Sequence, residues 1–303
     1  MKVILKRTLQ ETLKLSTVIL VVVVAFLCGQ VMLSNSSYYS IPAYESYLDS
    51  VMILQHAIVF FVINGAVLLA TVASVSTGLI AGEVHEGTFR LLAAKPNSRT
   101  SILTGKILGM AIGTVILMLL GLSTLYAVEI MLGKFDASIV SSMLKYVPGY
   151  ILYGLIASLF FSSLGVLLSC IAKKRIFALL PLLALIIMVL ALPIIIRASR
   201  MIFGSEENML FNIIDMNYHF SSIFKWCIDL CGGISGRSGE LEVLQILMNL
   251  YKYEIADIDV VREFNTVLVE NRTLPALGIL IVYLGLSIAN YTGSYLIIKR
   301  KDV

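Results

Sequence analysis

The chain has 303 residues, of which 58% are hydrophobic and 14% charged, with a mean hydropathy of +0.92 and a formal net charge of +4. That composition excludes a soluble globule, which could not cover so much apolar surface, and makes the bilayer part of the solvent. The positive balance is accounted for by membrane topology and anionic lipid headgroups, so nucleic acid is not required as a partner.

Residues 1–14 form the first predicted element. Met1, Leu5, Leu9 and Leu13 recur every four residues between Lys2, Lys6, Gln10 and Lys14, a pattern that predicts an interfacial helix on the inner membrane surface. The apolar run that follows is too long for the h-region of a cleavable signal, and no A-x-A site follows it. Cys28 follows "AFL", without the small residue of a lipoprotein signal, and reads as a buried thiol.

A helix crosses about 30 Å of hydrocarbon with about 20 apolar residues. On that rule the chain carries six spans, at about 15–33, 53–79, 107–132, 147–171, 177–196 and 274–298. The fold class is an all-α integral membrane protein with one transmembrane domain over 1–303. Lys2, Lys6, Arg7, Lys14, Arg90, Lys95, Arg99, Lys106, Lys173, Lys174, Arg175, Lys299, Arg300 and Lys301 all fall in loops on one side. The short loops of the other side hold only Lys134 and Lys145. The positive-inside rule then makes both termini cytoplasmic, and the expected location of this multi-pass chain is the plasma membrane. Segment 81–106 is cytoplasmic and segment 197–272 extracellular, the latter with seven basic residues against eleven acidic ones.

Inside the spans, Asn64, Thr71, Ser74 and Asn290 must face protein or water. They are candidates for lining a path, or else for hydrogen bonds between helices. Gly109 with Gly113, and Gly285 with Ala289 and Gly293, are small-xxx-small sets that let helices approach closely, expected mainly within the subunit.

The outer segment has helical periodicity in places. Phe220, Ile223, Phe224, Cys227 and Cys231 share a face, as roughly do Leu241, Leu244, Ile246 and Leu247, which predicts short external helices resting on or dipping into the outer leaflet. Cys227 and Cys231 are four apart, a spacing that orients thiols poorly on a helix; a bridge and two reduced thiols both stay open. The stretch "CGGISGRSG" follows no strand and lacks the Lys-Ser/Thr ending of a phosphate loop, so it reads as a turn.

No G-x-x-x-x-G-K-[ST] occurs, and His85-Glu86 is followed by no second His at zinc-protease spacing. No catalytic or metal-binding residues are assigned, and the spans carry no charge at mid-membrane of the kind that ion-driven machines use. The energy for any work therefore enters from a partner.

The long polar interruption "AGEVHEGTFRLLAAKPNSRTSILTGK" is where such a partner would act. Leu79 to Ala94 are good helix formers, Glu86 and Arg90 pair at i,i+4, and the second span is expected to run on into this helix. Pro96 disfavours helix at Lys95, and Asn97 or Ser98 can cap a new helix into the third span. Glu83-x-x-Glu86-Gly87-Thr88-x-Arg90-Leu91-Leu92, then Pro96-x-Ser98-Arg99, then Gly105-Lys106, resembles the "E-x-E-G-T-x-R-L-L … P-x-S-R … G-K" signature of ABC-2-type transporter permeases. His85 stands where many relatives have an acidic residue. The resemblance implies that Glu83, Glu86, Gly87, Thr88, Arg90, Leu91, Pro96, Ser98 and Arg99 belong to a coupling helix that docks on a separate ATP-binding subunit. It implies a second permease, identical or related, and no cofactor on this chain, with ATP and Mg held by the partner. Export of a peptide, antibiotic or other amphipathic cargo is the expected activity. A non-transporting anchor, immunity or sensor scaffold is the competing reading, and a membrane-embedded enzyme has no catalytic constellation to support it.

Overall fold

The computed structural model describes residues 2–36, 44–85, 99–133, 137–203, 209–234, 238–255 and 266–300. Six helices among them are long and apolar enough to cross a membrane: Leu15–Met32, Val51–Gly78, Ser101–Leu132, Ile139–Ile171, Arg175–Ser199 and Ala276–Arg300. In chain order the described elements begin with α1 (Lys2–Thr12) and α2 (Leu15–Ser36). The second span joins α3 (Tyr44–Ile58), a π-helical stretch (Val59–Leu68) and α4 (Leu69–Gly78), and is followed by the short α5 (Ala81–His85). Next come α6 (Arg99–Gly133), α7 (Ala137–Lys145), α8 (Val147–Ile171) and α9 (Arg175–Phe203). Between the fifth and sixth spans lie α10 (Met209–Ile214), α11 (Met216–Asp229), α12 (Ser238–Met248), β1 (Tyr251–Ile255) and β2 (Thr266–Glu270), before α13 (Ala276–Arg300).

The molecule is apolar outside and partly polar inside. Leu20, Phe26, Ile116, Ile187, Ile281 and Ile288 are exposed on span surfaces, while Gln55, Asn64, Ser163 and Glu129 are buried. That inversion is what a hydrocarbon solvent selects, since it rewards apolar surface and penalises an unpaired polar group. Span α8 forms the centre, packed against α4, α13 and α11, with Tyr150, Tyr153, Ala157 and Phe161 buried. Pro148 opens α8, where a missing N–H costs nothing. Pro181 and Pro193 lie within α9, a placement membrane helices tolerate.

Helix α1 packs against α6, and the face it buries differs from the expected stripe. Ile4, Thr8 and Thr12 are the buried residues, while Leu5, Leu9 and Leu13 are only partly covered. The reason is the glycine pair on α6. A Cβ at Gly109 would stand 2.7 Å from the Leu5 carbonyl oxygen, and one at Gly113 would stand 2.7 Å from the Thr12 methyl. The second small-residue set does not pack this way: Gly285 meets nothing within 4 Å, Ala289 is exposed, and only Gly293 approaches a neighbour, Leu167.

The segment between the fifth and sixth spans forms a cap on the bundle. Helix α11 buries Phe220, Ile223, Phe224 and Cys227 against the spans themselves. Phe224 stacks among Phe60, Tyr150 and Tyr153, and Phe220 among Phe160, Phe161 and Tyr283. The apolar face expected to rest on the leaflet is thus met by aromatic side chains of the spans. Cys227 and Cys231 are both free thiols, and Gly232 and Gly233, at φ +127° and +80°, make the turn after α11.

The cap also contains an antiparallel hairpin, β1 on β2, in register from Tyr251 opposite Glu270 to Ile255 opposite Thr266. This is an addition to the all-α expectation. Lys225 of α11 ties it down, 3.0 Å from Glu270 and 2.8 Å from Asp229, and Arg272 adds a contact of 2.9 Å to Glu270. Burial pushes the Glu270 carboxyl up, but the hydrogen bonds from Lys225 and Arg272 outweigh it and leave the group below its usual range. A depressed carboxylate stabilises the fold above the unfolded value of about 4.3 and loses that contribution as pH falls through the folded value. Amide exchange in β1 and β2, corrected for the intrinsic rate, is therefore expected to accelerate below about pH 4 relative to α8. Glu270→Gln is expected to abolish that pH dependence; an unchanged profile would show that Glu270 does not hold the hairpin.

Candidate coupling site

The second span ends in a joint rather than a continuous helix. Helix α4 stops at Gly78, Leu79 and Ile80 form a turn, and α5 starts at Ala81. This corrects the expectation that the span runs on unbroken. The physical reason is a side chain from the fourth span: the Ser169 hydroxyl accepts from the backbone N–H of Ile80 (3.1 Å) and of Ala81 (2.8 Å), and donates to the Thr77 carbonyl (2.8 Å). Backbone groups that a continuous helix would pair internally are thus taken up from outside it.

Lys106, at the start of the third span, completes the joint. Its ammonium donates to the Leu79 carbonyl and lies 2.5 Å from the Glu83 carboxylate. Both residues are buried, Glu83 at 8% exposure and Lys106 at 3%. Arg7 of α1 stands 3.9 Å from the other Glu83 oxygen and 3.2 Å from Glu11. A buried carboxylate and a buried ammonium are tolerable only as a pair, so this contact fixes α5 against the third span. Leu79, Ile80, Leu103, Met110, Val166, Cys170 and Ile298 form the apolar packing around it, which brings the second, third, fourth and sixth spans to one point.

Of the residues that the signature singles out, Glu83 is in this joint and Arg99 opens α6. Glu86, Gly87, Thr88, Arg90, Leu91, Pro96 and Ser98 lie outside the described residues. Sequence reasoning placed Lys106 in the signature but gave it no role, and missed Ser169 altogether. A lone Lys just inside a span start, twenty-three residues after a Glu just past a span end, was the available signal. Nothing in the sequence distinguishes Ser169 from the other serines of the spans.

The four polar residues of the spans separate into two kinds. Asn64 is wholly buried in the π-helical stretch and donates to the Tyr150 carbonyl (3.0 Å), and Asn290 donates to the Ser163 hydroxyl (3.1 Å). These two tie helices together. Thr71 and Ser74 border a cleft at the end of the bundle that holds the joint, where Thr71 bonds the Val67 carbonyl (2.8 Å) and Ser74 receives Arg175. At the opposite end, Gln55 donates to Tyr126 (2.6 Å), His56 meets Tyr150 (2.8 Å), and Tyr146 donates to the Gly233 carbonyl of the cap (2.9 Å).

The bundle therefore has a charged end, where Arg7, Glu83, Lys106 and Arg175 converge, and an aromatic end closed by the cap. A search of curated proteins returned no match. A family model described as "ABC-2 family transporter protein" matches residues 3–303. With nearly every residue inside that match, six membrane-spanning helices and a charged joint after the second of them, the chain belongs to the ABC-2 family of transporter proteins.

Proposed function

We propose that the chain is the membrane half of an ATP-driven exporter, in which a separate ATP-binding subunit pushes on segment 81–106 and the Glu83–Lys106–Ser169 joint passes that push to the spans. As an ABC-2 family member the chain is a permease, the transmembrane component of an ABC transporter. The finer reading has the charged end cytoplasmic, both termini inside the plasma membrane, a second permease alongside, and ATP with Mg on the partner. The cargo is a peptide, antibiotic or other amphipathic molecule.

The observation that carries this reading is the joint. A mere connecting loop gains nothing from a buried ion pair and a serine bridge that fasten its root to three spans, whereas a lever needs a stiff root. The test uses the complete complex in membranes, with Glu86→Arg in the signature, and reads transport per ATP hydrolysed together with recovery of the partner. The variant is expected to insert normally and to lose partner recovery or coupling by several-fold, because a wrong charge in an interface costs far more than a lost surface pair. Normal recovery with normal coupling would refute the docking role and leave the scaffold reading in its place.

A further inference from the structure

We propose that the cleft beside the joint binds the phosphate group of an anionic amphiphile whose apolar part lies along α2. The inference rests on the six helices crossing a membrane and is independent of how the transporter is energised. The cleft encloses about 530 Å³ and is walled by α1, the first turns of α2, α4 and the start of α9. Its charged lining is Arg7, Glu11, Lys14, Glu83 and Arg175.

The two acids are already satisfied. Glu11 is held by Arg7 at 3.2 Å, and Glu83 by Lys106 at 2.5 Å with Arg7 nearby. Lys14 and Arg175, by contrast, have no carboxylate within ion-pair distance among the described residues. Among the described residues the cleft is thus left with two cations that no carboxylate pairs.

Arg175 is also oriented for use. Its Nη2 is fixed by the Ser74 carbonyl at 2.8 Å and the Ser74 hydroxyl at 2.6 Å, while a Cβ on Gly78 would lie 3.4 Å from its Nε, so the guanidinium rests against bare backbone. A planar fork held this way offers its remaining N–H groups to a tetrahedral oxyanion, with Lys14 as a second charge in the same lining. Ser16 and Thr17 on the same wall add two hydroxyls.

The shape specifies an amphiphile rather than a free ion. Leu20 lines the cleft and is half exposed, and Ile19 and Val23 continue the exposed apolar surface of α2 beyond it. A headgroup in the cleft can therefore leave its chains in hydrocarbon. Chains alone gain little there, since lipid already wets that surface, so recognition falls on the phosphate.

The test measures binding of three probes to the purified chain in detergent: dihexanoyl phosphatidylglycerol, dihexanoylglycerol, and inorganic phosphate. The phosphatidylglycerol is expected to bind, the uncharged glyceride to fail, and inorganic phosphate to compete weakly. Lys14→Gln and Arg175→Gln are each expected to weaken lipid binding on the order of tenfold, the scale of one lost charge-assisted contact. Lys173→Gln, which removes an exposed charge two residues from Arg175, is expected to leave it unchanged. Lys14 makes no side-chain bond to other described residues, so its variant keeps the test valid if Arg175→Gln impairs folding. Equal loss in Lys173→Gln, or equal binding of the glyceride, would overturn the proposal. Binding of inorganic phosphate without the lipid would overturn the amphiphile and leave a site for soluble phosphate.

Discussion

Lys106→Met is expected to uncouple the transporter and to lower its stability by about 3–5 kcal/mol, the usual cost of stranding one member of a buried ion pair. The substitution keeps the apolar stem of the side chain and all but its terminal atom, so packing around Leu103 and Met110 is nearly preserved. What it removes is the ammonium that neutralises Glu83 and satisfies the Leu79 carbonyl. Removing both charges, as Glu83→Met with Lys106→Met, restores most of that loss, because two matched apolar groups leave no charge unpaired. The double variant separates stability from mechanism. If the pair transmits force, transport per ATP stays low although the protein is stable again. If the pair is only a fastening, transport recovers with stability. Thermal unfolding and coupled transport on the parent and these two variants decide it, and a fully active Lys106→Met would remove the joint from the mechanism.

The second large effect is expected at the cap. Asp215 receives Arg197 from the end of α9 and accepts from the backbone N–H of Asn217 (2.9 Å) and Tyr218 (3.2 Å), so one carboxylate both closes an ion pair and caps α11. Arg197 also donates to Asn217 Oδ1 and the Leu247 carbonyl, each at 3.0 Å. Asp215→Ala loses a helix cap, worth about 1 kcal/mol, and removes the buried carboxylate that pairs with Arg197, at a cost of up to about 3–5 kcal/mol. The cap is expected to open locally rather than the bundle to unfold, because the six spans remain packed by their own contacts.

Cys227 reports that opening. It is fully buried in α11, and burial pushes its thiol up to about 12, so the reactive thiolate is scarce at neutral pH. In a Cys231→Ser background, maleimide labelling of Cys227 is expected to be slow in the parent and at least tenfold faster with Asp215→Ala, while Asp215→Asn, which keeps a capping oxygen, falls between. A labelling rate unchanged by Asp215→Ala would show that the aromatic packing of Phe220 and Phe224 holds the cap without the ion pair.

The six spans were legible because a run of apolar residues long enough to cross a bilayer has few alternative uses, and six helices of that length and composition are present. The joint was half legible. Glu83 and Lys106 stand in a recognisable signature, but a buried pairing between them depends on how the third span leans on the second, which no periodicity encodes. The face by which α1 packs on the third span was not legible, because two glycines on a distant segment admit Thr8 and Thr12, which carry no apolar periodicity. The hairpin was not legible: "YKYEI" and "TVLVE" are only five residues each, too short for their alternation to stand out beside the helical periodicity of the same segment. The ion pair of Arg197 with Asp215 lies within the outer segment, where counting charges could give its net sign but not its partners.

A serine hydroxyl has one proton to give and two lone pairs to receive with, and Ser169 has committed all three. It holds nothing in reserve for a partly displaced arrangement. If the fourth span slides past the end of the second, the three bonds cannot be traded one at a time for longer ones, since hydrogen bonds fail steeply with distance and angle. The three bonds of the joint are therefore expected to form and break together.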